Sequence, residues 1–298
     1  MILSEPAPAA IQPAGFLILL SEDWVVLGVS ANLRDFLPCD AADLIGQPLS
    51  SLFSDDAIHT LRNRLALLRD PDGIEHVFNC SLREDAKGFD VAIHFVDDQI
   101  ILEVELSSGK NYGDITGTLR GMVGRLEQTT SLDQLLDQGA RQLRSLTGVD
   151  RVLIVRHVDD GDEVVAECAR SGLPSLIGER FASAAMTTST GGLHVIADVE
   201  ARPVALLPES AAPLDLSRAI LRLAQPADLD SLRRLEVRSA MRLALRVSGK
   251  PWGVVAFHHH LPRSPSFERR AMAELFATMF AMRIEISELR AGRDAPPV

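Results

Sequence analysis

The chain has 298 residues, 46% hydrophobic and 24% charged, enough for two domains that each bury a core of their own. A formal net charge of -11 argues against nucleic acid and anionic membrane as direct partners, since both need a basic face. No apolar run reaches the ~18 residues of a membrane span, and the N-terminus MILSEPAPAA lacks the basic and apolar regions of a signal peptide. Cys39, Cys80 and Cys168 are scattered and odd in number, which fits a reducing cytoplasm better than a disulfide framework.

Residues 1–14 carry two Ala-Pro pairs and no periodicity, and read as an extended tail. Gly15 to Ser21 and Val25 to Ser30 are apolar runs around Ser21-Glu22-Asp23, the pattern of a hairpin. Ile58, Leu61, Leu65 and Leu68 share one helical face. Three strands follow, Glu75 to Leu82, Phe89 to Val96 and Ile100 to Leu106, joined by Asp/Gly-rich turns. That order of hairpin, helices and three strands is α+β. Leu106 to Tyr112 is the candidate domain boundary.

Beyond it, Leu119, Met122 and Leu126 form a helical stripe. Ser131 is placed to cap a second helix that ends at Thr147-Gly148, with Leu132, Leu135, Leu136, Leu143 and Leu146 inward. Arg151 to Val158 and Glu163 to Ala169 are strands around an Asp-Gly turn. Pro213 opens a helix with Leu216, Ala219, Ile220 and Leu223 inward, and Pro226 stops it. Asp228 is placed as the N-cap of a short helix with Leu229, Leu232 and Leu235 on one face. Arg238 to Val247 and Trp252 to Phe257 form a hairpin around Gly249-Lys250-Pro251. From Ser266, Met272, Leu275, Met279, Met282, Ile286 and Leu289 alternate spacings of three and four, a heptad seam. Residues 291–298 read as a frayed, disordered tail.

Several of these stretches resemble the PAS–GAF photosensory core of bacterial phytochromes. Ile11-Gln12-Pro13-Ala14-Gly15 is similar to the family's IQPHG motif with Ala14 in place of His, and the Gly-x-Pro-Leu turn at Gly46 is PAS-like. The run SLDQLLDQGARQLRSLTGVDRVLIV resembles the start of the family's GAF domain. In PLDLSRAILRLAQPADLDSLRRLEVRSAM the chain keeps Pro213, Leu214, Asp215, Leu216, Ser217, Leu221, Arg222, Pro226, Leu229, Leu232, Val237 and Met241 of the family pattern. The resemblance implies a PAS domain over 15–107 and a GAF domain with dimerising helices over 108–290, each an antiparallel sheet flanked by helices. It also implies a figure-of-eight knot between the N-terminal segment and a lasso near Arg202-Pro203, bringing Ile11 to residues 203–220.

The resemblance fails at positions that touch the family's bilin. The pattern's His is Asp228, its Tyr is Ser231, its PASDIP Asp is Ala185, and a propionate-clamping Arg is His194. The Tyr and Phe usual on the first GAF strand are Val155 and His157. Ala227 stands where plant-type relatives carry an attachment Cys, and no Cys precedes Cys39. The expectation is therefore a non-enzymatic, cytoplasmic, homodimeric sensory or regulatory module in signal transduction, without a cofactor and without covalently bound bilin. A downstream signalling protein is its expected partner. The alternatives are a photoreceptor holding biliverdin non-covalently through Arg222 and a His of the 258–260 run, or a GAF domain for another small ligand. The candidate remnant pocket is Phe181, Asp228, Arg222, Ser217, Met241 and His258. No catalytic residue is expected, and no metal site, because adjacent His residues on a strand face opposite ways. Asp228 is read as a plain cap, Arg222 as an anion site or a partner for a nearby Asp, and Cys168 as a buried inert thiol.

Overall fold

The computed structural model describes residues 9–68, 73–83, 87–109, 114–181, 192–209 and 214–294. The tail before residue 9, the Ala182 to Thr187 run with Ala185, the end of the Leu106 to Tyr112 boundary, and Pro213 lie outside these residues. In chain order the elements are β1 (Ala10–Ile11), β2 (Phe16–Ser21), β3 (Val26–Ser30), α1 (Ala41–Leu44), α2 (Asp55–Leu65), β4 (Glu75–Ser81), β5 (Gly88–Val96) and β6 (Gln99–Leu106). They continue with α3 (Ile115–Glu127), α4 (Leu132–Thr147), β7 (Arg151–Val158), β8 (Gly161–Ala169), β9 (Arg180–Phe181), β10 (Leu193–Ile196) and β11 (Val204–Leu207). Last come α5 (Pro226–Arg234), β12 (Ser239–Val247), β13 (Lys250–His259) and α6 (Phe267–Asp294). No helix among the described residues is long and apolar enough to cross a membrane.

The chain divides into two compact units, Met1–Lys110 with Glu200–Leu223, and Asn111–Val199 with Ala224–Val298. Residues of the lasso thus cluster with the N-terminal unit. That unit holds a seven-stranded sheet in the order β1-β11-β3-β2-β6-β5-β4. Its central strands β5 and β6 read as nearly continuous apolar runs because both faces are covered. One face packs Phe16, Phe89, Ile93 and Leu102 against Leu49, Phe53 and Leu61. The other packs Leu17 and Ile101 against Ile11, Leu206 and Leu221.

The contact expected between Ile11 and residues 203–220 is present: Ile11 is fully buried, pairs with Val204 and bridges Arg222, while the Gln12 side-chain amide donates to the Arg222 carbonyl at 2.7 Å. The helix expected from Pro213 is corrected. Residues 214–223 form no helix. Their backbone donors go elsewhere: the Glu103 carboxylate accepts from the Ile220 and Leu221 N–H groups at 2.9 and 2.6 Å, and Asp215 accepts from Ser217 N–H at 2.8 Å. Of the apolar residues that suggested a helical face, Leu216 packs instead on the sheet beside Ile101, together with Leu221.

The second unit holds a six-stranded antiparallel sheet in the order β10-β12-β13-β7-β8-β9. The β12–β13 hairpin turns on Ser248 and Gly249, both at positive φ, one residue earlier than the sequence suggested. Helix α4 begins at Ser131, whose hydroxyl accepts from Gln134 N–H, and ends at Gly148 in the left-handed region. Helices α4 and α6 cover one face of the sheet. They approach so closely that a Cβ on Gly139 would lie 2.4 Å from the Phe280 ring, so only glycine fits there. Helix α6 runs through Asp294, past the start of the expected frayed tail. Of its heptad residues, Met272 is buried in this unit, while Leu275, Met282, Ile286 and Leu289 are exposed.

Candidate functional site

Strand pairing brings side chains from five strands of the second unit onto the face that α4 and α6 leave uncovered. His194, Arg242, Ala256, Leu153 and Glu167 form one register row, and Ile196, Ala240, His258, Arg151 and Ala169 form the next. Directly paired residues share a face, and the two rows lie two residues apart, so both point the same way. Helix α5 lies over part of this face, where Leu232 packs with Ile196, Val199, Val237 and Ala240.

Asp228 stands four residues before Leu232 and shares its helical face, so its carboxylate is carried toward the sheet. There Arg242 donates from Nη1 to Asp228 Oδ1 at 3.0 Å, with the side chains 4% and 10% exposed. The expectation that Asp228 is the N-cap is corrected. Pro226 occupies the first helical position and Gln225 the cap, so Pro226 begins the helix and places Asp228 in its first turn.

A second buried pair lies in the same rows. Arg151 Nε sits 2.9 Å from Glu167 Oε1, and Arg151 Nη2 donates to the Pro174 carbonyl at 2.5 Å. His258 lies between the two pairs in register. Burial, then the charges of Arg242 and Arg151, push its pKa down to about 3, so the imidazole is neutral. His194, paired in register with Arg242, is also buried. The face therefore carries two arginines, each answered by a carboxylate on the same face, and two buried histidines.

Of the sequence-predicted site residues, Asp228 and His258 belong to this cluster. Phe181 packs beside it on Leu153, Val155 and Ala256. Met241 is one residue off in register, opposite Phe257, and strand alternation turns it to the helix-covered face. Arg222 and Ser217 belong to the other unit: Arg222 donates to the Ala219 carbonyl at 2.6 Å and Ser217 closes the turn with Asp215. Ser231 is exposed and donates its hydroxyl to the Ala227 carbonyl. Cys168 pairs with Val152, in the row next to the cluster and on the opposite face, and is half-buried rather than buried. Arg242, Arg151 and Glu167 escaped sequence reasoning. Their signal was present: Ala240, Arg242 and Ala244 alternate along β12, an arginine set between two small residues on an inward face.

A PAS fold profile matches residues 6–107, and a GAF domain profile matches residues 131–287. The chain belongs to the GAF-domain family, in the PAS–GAF arrangement of a phytochrome photosensory core. It is 29% identical to a bacteriophytochrome of Pseudomonas aeruginosa over 97% of its length and 27% identical to cyanobacterial phytochrome B of Nostoc sp. over 94%. It spans about two fifths of the length of these relatives, 40% and 39%. Its fold matches the chromophore-binding domain of an unusual bacteriophytochrome from R. palustris with a TM-score of 0.83 at 26% identity, covering 95% of this chain and 97% of that one. The chromophore-binding domain of Stigmatella aurantiaca phytochrome P1 matches with a TM-score of 0.80 at 25% identity, covering 98% and 99%.

Where a His stands in the phytochrome pattern, the phytochrome-like chain has a carboxylate held by an arginine. Cys168 points away from the cluster face, and Cys39 and Cys80 belong to the other unit.

Proposed function

We propose that this phytochrome-type PAS–GAF core acts as a sensory or regulatory module without a covalently bound bilin, relaying a signal as a homodimer rather than catalysing a reaction. The buried Asp228–Arg242 pair carries this reading. A tetrapyrrole needs donors for its carboxylates and an acceptor for its pyrrole N–H groups. The arginines on this face are committed to Asp228 and Glu167. Freeing either for a propionate leaves a buried carboxylate unpaired, at a cost of about 3–5 kcal/mol. An affinity of 1 μM corresponds to about 8 kcal/mol, so that cost removes much of it.

The dimer reading rests on α6 and α3. Leu275, Met282, Ile286 and Leu289 remain exposed along α6, with Ile115 exposed at the start of α3. A seam at heptad spacing is what a paired helix would cover.

Co-expression with a biliverdin source, followed by a red absorbance scan of the purified chain, tests the bilin part. The expected product is colourless. A pigment that stays with the protein through denaturing electrophoresis would overturn the reading.

A further inference from the structure

The end of β13 carries a cluster that neither the sheet nor the Asp228 face uses. The triple-histidine run looked unfit for a metal because neighbours on a strand diverge. However, β13 ends at His259, and His260 lies beyond the strand. Both imidazoles then converge on Asp150, which follows the Gly148 cap of α4 and precedes β7.

His259 Nδ1 lies 2.6 Å from Asp150 Oδ2, and His260 Nδ1 contacts the same oxygen. The His260 main-chain N–H also donates to Oδ2, at 3.1 Å. His259 is 7% exposed, yet neither of its ring nitrogens makes a hydrogen bond among the described residues. The Nδ1 contact is close in distance but lacks hydrogen-bond geometry. A buried imidazole with both nitrogens unmatched is costly.

We propose that Asp150, His259 and His260 form a binding site for a divalent transition-metal ion of the zinc type. Two imidazoles and one carboxylate are a usual three-ligand zinc set, with the fourth tetrahedral position left to water. The ligand atoms of the three residues all lie within 4.8 Å of one another, and zinc donors at ~2.0–2.2 Å from the ion stand about 3.3 Å apart. The His260 side chain is 47% exposed, so solvent reaches the ion from that side. Arg170, whose Nε lies 3.2 Å from Asp150 Oδ1, occupies the other carboxylate oxygen and orients it, as outer-shell partners of metal ligands do. The Arg263 charge near His259 opposes a cation and limits its affinity. Bound there, the ion would tie the exit of β13 to the start of β7, just ahead of α6.

Zn²⁺ titrated calorimetrically into the untagged, chelator-treated chain tests this, with Co²⁺ absorption as a second readout. One equivalent should bind in the micromolar range or tighter, and Co²⁺ should give a four-coordinate spectrum. His260→Ala removes an exposed side chain and should still fold. It should weaken Zn²⁺ binding by more than the roughly 10–100-fold that loss of an outer-shell partner costs. His59→Ala, on exposed helix α2, should leave binding unchanged. The proposal is overturned if the wild-type chain binds Zn²⁺ only at millimolar concentration, or if His260→Ala and Asp150→Asn bind it as tightly as wild type does.

Discussion

Glu103 of the PAS unit and Asp228 of the GAF unit are both buried against their sheets, and the two are satisfied in opposite ways. In the PAS unit, Glu103 is 1% exposed and accepts two backbone N–H groups, with His94 as its nearest ring at 3.9 Å. In the GAF unit, Asp228 receives the Nη1 of Arg242, a full charge that is itself buried. Backbone amides neutralise a carboxylate only in part, and burial raises the Glu103 pKa to about 7 even against those two bonds. The first arrangement ties a passing segment to a sheet. The second keeps two charges buried over one face of the GAF sheet, which is a commitment of polar groups and not merely of chain.

The largest effect that sharpens this difference is expected at Asp228. Asp228→Ala strands a buried guanidinium and should cost about 3–5 kcal/mol in urea unfolding. Glu103→Ala strands two backbone donors rather than a guanidinium directly paired with it, so it should cost less, about 1–3 kcal/mol. Equal losses would break the contrast.

The pH dependence comes next and has opposite signs for Glu103 and His258. The folded pKa of Glu103 is raised from 4.5 to about 7, so the native state holds its proton longer and stability falls as pH rises through that window. For His258 the folded pKa is depressed from 6.5 to about 3, so the unfolded state protonates first. That contribution is complete above 6.5 and is lost as pH falls toward about 3. His94, pushed down to about 4 by burial and Arg218, acts in the same sense as His258. Glu103→Gln should therefore gain stability relative to wild type between about pH 5 and pH 7.5, and His258→Gln should flatten the acid-side loss. Urea midpoints across that range measure both, and unchanged slopes would contradict the assignment.

The smallest effect on stability is expected on the α6 seam. Met282→Glu with Leu289→Glu should change unfolding stability by no more than about 0.5 kcal/mol per site. The same double variant should halve the mass measured by light scattering. A wild-type chain that is already monomeric would remove the dimer from the account.

The sequence made many regular elements legible because period and caps coincide there: Ser131 and Gly148 bracket α4, and β2 to β8, β12 and β13 fall where apolar runs predicted them, whereas the short strands β1, β9, β10 and β11 carried no such signal. It misled where a long-range partner outbid a local pattern. Leu216, Ala219, Ile220 and Leu223 have helical spacing, yet Glu103, more than a hundred residues earlier, takes the N–H groups of Ile220 and Leu221. Asp228 looked like a cap because its local neighbours suit one, whereas its function in the fold is set by Arg242 across the sheet. His259 and His260 looked divergent because the end of β13 is not marked by any turn residue.

The central claim is that Asp228 and Arg242 are each other's partners and occupy the polar capacity of this face. A double-mutant cycle with Asp228→Leu and Arg242→Met measures it directly. Each single change should cost several kcal/mol, about 3–5, while the double variant should lie within about 1 kcal/mol of wild type or above it. Losses that simply add would contradict the pairing, and with it the support for the proposed module without a covalently bound bilin.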